Sequence, residues 1–465
     1  MHYHLWSLEE TIQALKKKTC SSKELVEAYL QRINQHDPTL RAFITVSKNA
    51  FNEAQQIDER RFKRKETVGE LAGIPIAVKD LLDTRDMTTT YGGRHFEHNT
   101  PTHDATVVQK LKTEDTIIIG KTNLHEYAYG TTNENPHYGK TVNPWNKAKI
   151  PGGSSGGSAV SVSAGLAVAA IGTDTGGSIR IPAALTGIVG LKPTYGLVST
   201  FGVFPLAHSL DHAGPLTRTV RDAGILLNIL TGYEGSSPSS IPLEKADYLG
   251  GRFTPPIRVG IPRQFFFDKC HPGVLQTVLA GLRVLESSMI QTVELDVPNI
   301  DSVPEAQNII LSSEALAIHE NRLRGHKELF GEDVRGRLES SKTITASEYI
   351  KAIQFKRQFQ KEVSQLFDEV DVIVTPTVPL LATDVGQTKA PLGVQEVPVG
   401  RHLTRYTNPW NFSGLPAISI PCGLSSGLPV GMQIIAAPFH EKKLLAIAEQ
   451  FEQVFRWTSI APDYR

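Results

Sequence analysis

The sequence predicts an α/β protein in which helical layers cover one large β-sheet. Three observations carry this expectation. Short apolar runs with few polar interruptions, such as Gly73–Val78 (GIPIAV), Ile257–Ile261 and Val372–Thr375, have the pattern of strands covered on both faces. Longer stretches with apolar residues at helical spacing separate them, and such alternation is the mark of layered α/β architecture. The 465 residues, 40% hydrophobic and 21% charged, are enough to build a sizeable core. A chain this long can hold several domains, but α/β enzymes often keep it in one body. No internal repeat or long low-complexity linker divides it.

The elements follow in order. Ser7-Leu-Glu-Glu10 and Ser21-Ser-Lys-Glu24 are capping boxes that open two helices, the second carrying Leu25, Ala28 and Tyr29 on its apolar side. The run Gly73–Val78 forms a strand ending at Lys79. A helix is expected over Ala105–Lys112 and a strand over Thr116–Ile119. A helix of small residues at Ser158–Ala164 leads to a buried strand at Leu166–Ile171. Further strands are expected at Ile257–Ile261, Val293–Val297, Val372–Thr375, Ala417–Ile420 and Val430–Ile435, with helices at Val274–Ser287, Ser347–Phe367 and Glu441–Phe455. The stretch Ala382–His402, with scattered Gly and Pro, reads equally as a mobile loop over a site and as a plain surface excursion.

Composition narrows the function. Lys plus Arg and Asp plus Glu number 48 each, so no global field favours nucleic acid or an anionic membrane. The basic clusters Lys16–Lys18 and Arg60–Lys65 read as solvated helix faces. Cys20, Cys270 and Cys422 are far apart, which argues against a disulfide framework, a zinc site and a C-x-x-C redox motif. No metal and no cofactor is expected. The first residues show no signal-peptide pattern, and no run reaches ~18 apolar residues. A cytoplasmic enzyme without a membrane or nucleic-acid partner is the resulting expectation, with a homodimer left open.

Two serine-bearing glycine loops carry the chemistry: Gly152–Ser158 (GGSSGGS) and Gly172–Arg180 (GTDTGGSIR), one short helix and one strand apart. Glycine lets the backbone approach a ligand closely, so such a turn presents a hydroxyl beside free N–H groups. Ser178 follows Thr175-Gly176-Gly177, whose N–H groups could meet a developing oxyanion, at roughly 3–4 kcal/mol of barrier for each pre-aimed donor. Ser154 could bridge between Ser178 and a base. Lys79, at the end of a buried strand, should have its pKa lowered there and so serve as that base. Each feature alone also has a bland reading: a flexible turn, a surface lysine. The loops match no G-x-x-x-x-G-K-[ST] phosphate loop. Gly152-x-Ser154-x-Gly156 matches a nucleophile elbow, but an elbow needs a preceding strand, and Asn143–Pro151 reads as loop. His208, His212 and His440 remain formal partners for a histidine-based triad.

The stretch Lys140–Gly196, with NPW, PGGSSGGSA, GTDTGGSIR, PAA and GLKPTYG, resembles the amidase signature family. The likeness extends through GIPIAVKD, GKTNLHEYAYGTTNENPHYG, HSLDHAGPLTRTVRDA, DVIVTPT and NFSGLPAISIP, and so spans most of the chain. It implies one domain over residues 1–465, with a large mixed sheet between helical layers, and a Ser-Ser-Lys triad hydrolysing amides through an acyl-enzyme. Ser178 matches the nucleophile, Ser154 the bridging serine that follows a cis peptide, and Lys79 the base. Asp174 and Arg180 match positions that brace the loop. The substrate pocket is expected to draw on Ala128–Gly130 and Ala382–His402 beside Thr175–Gly177, with Trp410 and Phe412 either lining it or in the core.

Within the family, two kinds of relative are close: free-standing amidases and the glutaminase subunit of the tRNA-dependent amidotransferase. The glutaminase subunit carries an acidic residue where this chain has Thr404, followed by Arg405. A threonine supplies no negative charge for an α-ammonium, and the neighbouring arginine would repel one. Ile181 and the run Asn123–Tyr127 also depart from the glutaminase pattern. A free-standing amidase acting on a small-molecule amide is therefore the first expectation and the glutaminase subunit the second. An inactive scaffold on the same fold is the alternative from another class.

Overall fold

Both N-terminal capping boxes form. Ser7 with Glu10 starts α1 (Leu8–Lys16) and Ser21 with Glu24 starts α2 (Ser22–Leu40), each serine accepting the N3 amide and each glutamate the N-cap amide in return. The structure, a computed structural model, describes residues 2–253, 255–286, 290–455 and 457–465.

Eleven strands build the main sheet: β1 (Phe43–Val46), β2 (Pro75–Lys79), β3 (Ile117–Thr122), β4 (Ala169–Asp174), β5 (Val189–Lys192), β6 (His212–Thr217), β7 (Ile257–Ile261), β8 (Ile290–Glu294), β9 (Val372–Pro376), β10 (Ala417–Ser425) and β11 (Leu428–Ile435). Their spatial order is β1-β3-β2-β4-β6-β5-β10-β11-β9-β7-β8. The sheet is mixed. β2 runs parallel to β3 and β4, and β7 runs parallel to β8 and β9, whereas the middle of the sheet from β4 to β9 is antiparallel. Every residue of β2 and β4 is buried, which is why their sequences lack alternation.

The remaining helices used below are α3 (Thr106–Thr113), α4 (Gly156–Ser163), α5 (Arg180–Thr186), α6 (Pro272–Glu286), α7 (Val303–Gly325), α8 (Glu332–Ser341), α9 (Ala346–Gln365), α10 (Val399–Leu403), α11 (Asn408–Phe412) and α12 (Glu441–Phe455). Among the described residues, no helix is long and apolar enough to cross a membrane. Register positions the site. β2 and β4 pair in parallel from Ile76–Ala169 to Val78–Ile171, so Lys79 and the loop after β4 leave the same end of the sheet, where open α/β sheets place their ligands.

Two of the expected strands are placed differently. The strand expected at Leu166–Ile171 starts at Ala169, because the N–H groups of Leu166 and Ala167 donate to the Ser161 carbonyl and close the end of α4. The strand expected at Val293–Val297 lies earlier, at Ile290–Glu294, where it matches all five residues of β7. The helix expected over Val274–Ser287 is α6; Ser287 lies outside the described residues. Ala382–His402, read as a mobile loop or a surface excursion, contains regular structure. It forms a hairpin of Lys389–Leu392 with Gln395–Pro398 and then enters α10, burying Ala382, Ala390, Val397 and Val399 against Ile150, Ile181 and Leu185. The basic residues Arg60 and Arg61 also have protein partners: Arg60 pairs with Asp115 at 2.6 Å, and Arg61 donates to the Ala72 carbonyl.

Candidate active site

The two glycine loops lie against each other at the end of β2 and β4. The Ser155 N–H donates to the Ser178 carbonyl at 3.2 Å, and the Ser155 hydroxyl donates to the Thr173 carbonyl. Gly157, in the first turn of α4, stands where only glycine fits: a Cβ there would lie 2.4 Å from the carbonyl oxygens of Ala42 and Asn123. The Gly153–Ser154 peptide is cis. No strand precedes it, so the nucleophile-elbow reading is set aside.

Lys79 Nζ lies 2.8 Å from Ser154 Oγ and 2.8 Å from Thr173 Oγ1, all three side chains being buried. Burial pushes the Lys79 ammonium down to about 7, against Asp174 and Asp211, whose negative charges raise it. A neutral amine is thus available near neutral pH beside the Ser154 hydroxyl. Ser178 lines a cleft of about 340 Å³ together with Ala128, Tyr129, Thr175, Gly176 and residues of α7, α8 and α10. Its hydroxyl makes no hydrogen bond to a described residue, so the Ser154–Ser178 link expected from the sequence is not closed here. Nucleophile–base contacts are often long in the absence of substrate.

The loop after β4 is braced from below. Asp174 and Arg180 form a wholly buried pair, with Arg180 Nε 3.0 Å from Asp174 Oδ2 and Nη2 3.0 Å from Oδ1. Burial alone would raise the Asp174 carboxyl, but Arg180, Lys192 and the Asn411 amide outweigh it and hold the carboxyl well below the usual range. Arg180 also donates to Gln433, Asn411 and the Thr407 carbonyl. The expected set of oxyanion donors is corrected here. The Gly177 N–H donates to Asp174 Oδ1 at 2.7 Å, so it is already used, and Gly177 does not line the cleft. Ala128, expected in the substrate pocket, does line the cleft, while its N–H donates to the His125 carbonyl. Gly176 and Ser178 both line the cleft, and their N–H groups have no partner among the described residues.

Specificity residues are rearranged relative to expectation. Thr404 lines the cleft, but Arg405 does not; its guanidinium stacks 3.7 Å over the Phe265 ring. The repulsion expected from Arg405 is therefore absent from the cleft. Arg401 and Arg337 line it instead, with Glu305 at its rim, and Arg337 is held bidentate by Asp333. Trp410 and Phe412 are core residues, Trp410 stacking on Phe266. The histidines are elsewhere: His212 lies buried against the Asp174 and Leu210 carbonyls, His440 is exposed, and His208 lines a separate cavity. That cavity, about 740 Å³, is the larger, but Ser178 lines the smaller cleft and not this one.

Five residues that hold the site were not anticipated: Thr173, Asp211, Gln307, Thr407 and Asn411. Thr173 and Asp211 stand inside GTDTGGSIR and HSLDHAG, so the motifs themselves pointed to them. Asn411 opens the motif NFSGLPAISIP, and Thr407 sits two residues beyond Arg405. Gln307 is in no motif.

The family model described as Amidase matches residues 24–445. The glutamyl-tRNA(Gln) amidotransferase A-subunit of Thermoanaerobacter pseudethanolicus is 36% identical, with 99% of this chain and 98% of that protein covered. Among solved structures, one from an inhibitor-bound protein complex, reported as revealing the evolutionary origins of an s-triazine catabolic enzyme, superimposes with a TM-score of 0.92. It is 31% identical and covers 98% of this chain and 100% of its own. Another, described as an amidase, has a TM-score of 0.89 at 33% identity, covering 97% and 100%.

Proposed function

The chain belongs to the amidase family, and on that premise we propose that it hydrolyses a small-molecule carboxylic amide to acid and amine through Lys79, Ser154 and Ser178. One observation supports this most: a buried lysine amine 2.8 Å from the Ser154 hydroxyl, in the loop that packs against the Ser178 loop at the head of an open cleft. In this reading neutral Lys79 takes the Ser154 proton as Ser154 takes that of Ser178. Ser178 Oγ attacks the amide carbon, and the Gly176 and Ser178 N–H groups receive the oxyanion. The relay returns a proton to the leaving amine, and water cleaves the acyl-enzyme.

A second reading is the glutaminase subunit of a tRNA-dependent amidotransferase, the name borne by the relative cited above. Thr404 supports the first: it lines the cleft at the position in question and offers no charge for an α-ammonium group, Glu305 standing at the rim instead. The test is a screen of the isolated chain against primary and anilide amides, with Ser178→Ala as blank. Hydrolysis by the isolated chain that Ser178→Ala abolishes is expected. Glutamine hydrolysis that appears only with partner subunits would reverse the order, and failure of a fluorophosphonate to label Ser178 in folded protein would favour an inactive scaffold.

A further inference from the structure

We infer that Gln307 is a positioning residue for the oxyanion donors, tying the substrate-facing wall of the cleft to the nucleophile loop; this rests on the proposed amide hydrolysis. Gln307 comes from α7, is 1% exposed, and lines the cleft. Its Nε2 donates to the Thr175 carbonyl at 3.2 Å and to Asn408 Oδ1 at 2.9 Å. A carbonyl can only accept, so the orientation of the Gln307 amide is set by its partners.

The chain of donors continues outward. Asn408 Nδ2 donates to Thr404 Oγ1 at 3.3 Å, and the Thr404 hydroxyl donates to the Arg401 carbonyl at 3.1 Å. Every residue in it lines the cleft. At its inner end, the Thr175 carbonyl and the Gly176 N–H belong to one trans peptide and point in opposite directions. Holding the carbonyl therefore sets the direction of the Gly176 N–H, and a hydrogen bond to the carbonyl polarises that N–H. Thr407 does the same for the next peptide, donating to the Gly176 carbonyl at 2.6 Å while the Gly177 N–H is held by Asp174. Gln307 Oε1 is buried without a partner among the described residues. Such an orphan acceptor is costly, so packing alone gives no reason for an amide at this position.

The test is the rate at which a fluorophosphonate phosphonylates Ser178, since the phosphoryl oxygen uses the same donors, alongside amide kcat and KM. Losing one oxyanion donor costs roughly 10²–10³ in kcat, so misaiming it in Gln307→Met should slow labelling and kcat at least about tenfold with KM near wild type. Gln307→Glu removes the donor when ionised and restores one when protonated. Its labelling rate relative to wild type should therefore rise as pH falls, which a packing role would not produce. Asn408→Ala, which loosens only the outer partner, should give a smaller loss and serves if Gln307→Met does not fold. Labelling and kcat within about twofold of wild type in folded variants would overturn the inference. Failure of the wild type to label at all would instead overturn the hydrolase reading on which it rests.

Discussion

Lys79 Nζ and Ser154 Oγ stand 2.8 Å apart with neither side chain exposed to solvent. Among the described residues the amine has no carboxylate in contact; its two close partners are the hydroxyls of Ser154 and Thr173. Burial therefore wins over the more distant Asp174 and Asp211, and the ammonium falls to about 7. Only the neutral amine can accept a proton. The free-enzyme rate constant kcat/KM should rise about tenfold per unit as pH approaches 7 from below and level off above it. A pH profile of kcat/KM, or of Ser178 labelling, checks this; a flat profile across that range would remove Lys79 as the base.

The same amine links stability to pH, with a definite sign. Unfolded, Lys79 holds its proton up to about its ordinary 10.5; folded, it releases it at about 7. Between these values the unfolded chain binds more protons, so this site's contribution to stability rises with pH across the window and is constant below it. Lys79→Met abolishes the dependence. The stability of wild type relative to Lys79→Met should climb above pH 7 by up to about 1.4 kcal/mol per unit. Denaturant midpoints measured for both proteins across that window would show it, and parallel curves would refute it.

Asp174 and Arg180 share one buried ion pair, and Asp174 also accepts the N–H groups of Gly177 and Ile179. Removing either partner leaves a buried charge uncompensated. Asp174→Asn and Arg180→Met are each expected to lose about 3–5 kcal/mol in urea unfolding. The double replacement should cost less than the sum, since each single orphans the other partner's charge and the double removes both charges.

What could be read from the sequence divides along physical lines. Lys79, Ser154 and Ser178 were legible because the chemistry needs glycines beside hydroxyls and a lysine at the end of a buried strand, all local in sequence. β2, β7, β9 and β11 were legible as apolar runs. β6 was not: its sequence His-Ala-Gly-Pro-Leu-Thr carries little β-propensity, and it is held by neighbours β4 and β5. α7 escaped for a different reason: its apolar residues are spread around the axis with no single stripe. Gln307, which α7 carries to Thr175 from far along the chain, was hidden with it. Arg405 was misread because neighbouring residues on a tight turn point apart, and sequence adjacency to Thr404 says nothing about which one faces the cleft.

Gly177 has φ +127, and a Cβ there would lie 2.2 Å from Thr407 Oγ1 and 2.7 Å from Ile181 Cδ1. Gly177→Ala therefore strains the backbone and pushes away the hydroxyl that holds the Gly176 carbonyl. Its kcat should fall at least about tenfold, as expected when an oxyanion donor is misaimed, with a stability loss of order 1–3 kcal/mol. Stopped assays at saturating amide, with the unfolding curve of the same preparation, separate the two effects.

Thr404 faces the cleft, whereas Arg405 lies over Phe265, so a negative charge placed at position 404 would meet the substrate without a cation stacked directly beside it. Thr404→Asp keeps an acceptor for Asn408 Nδ2 and loses the hydroxyl that donates to the Arg401 carbonyl. The carboxylate should attract an α-ammonium group, tempered by the Arg401 side chain on the same wall. Charged pairs at exposed sites are worth about 0.2–1 kcal/mol, so KM for α-amino-acid amides such as glutamine should fall by a factor of about 1.4 to 5. The KM for neutral amides should not fall, and the gain should shrink with added salt, because screening acts on the charge and not on shape. Equal improvement for neutral and ammonium-bearing amides would mean that position 404 changes the shape of the cleft and not its charge.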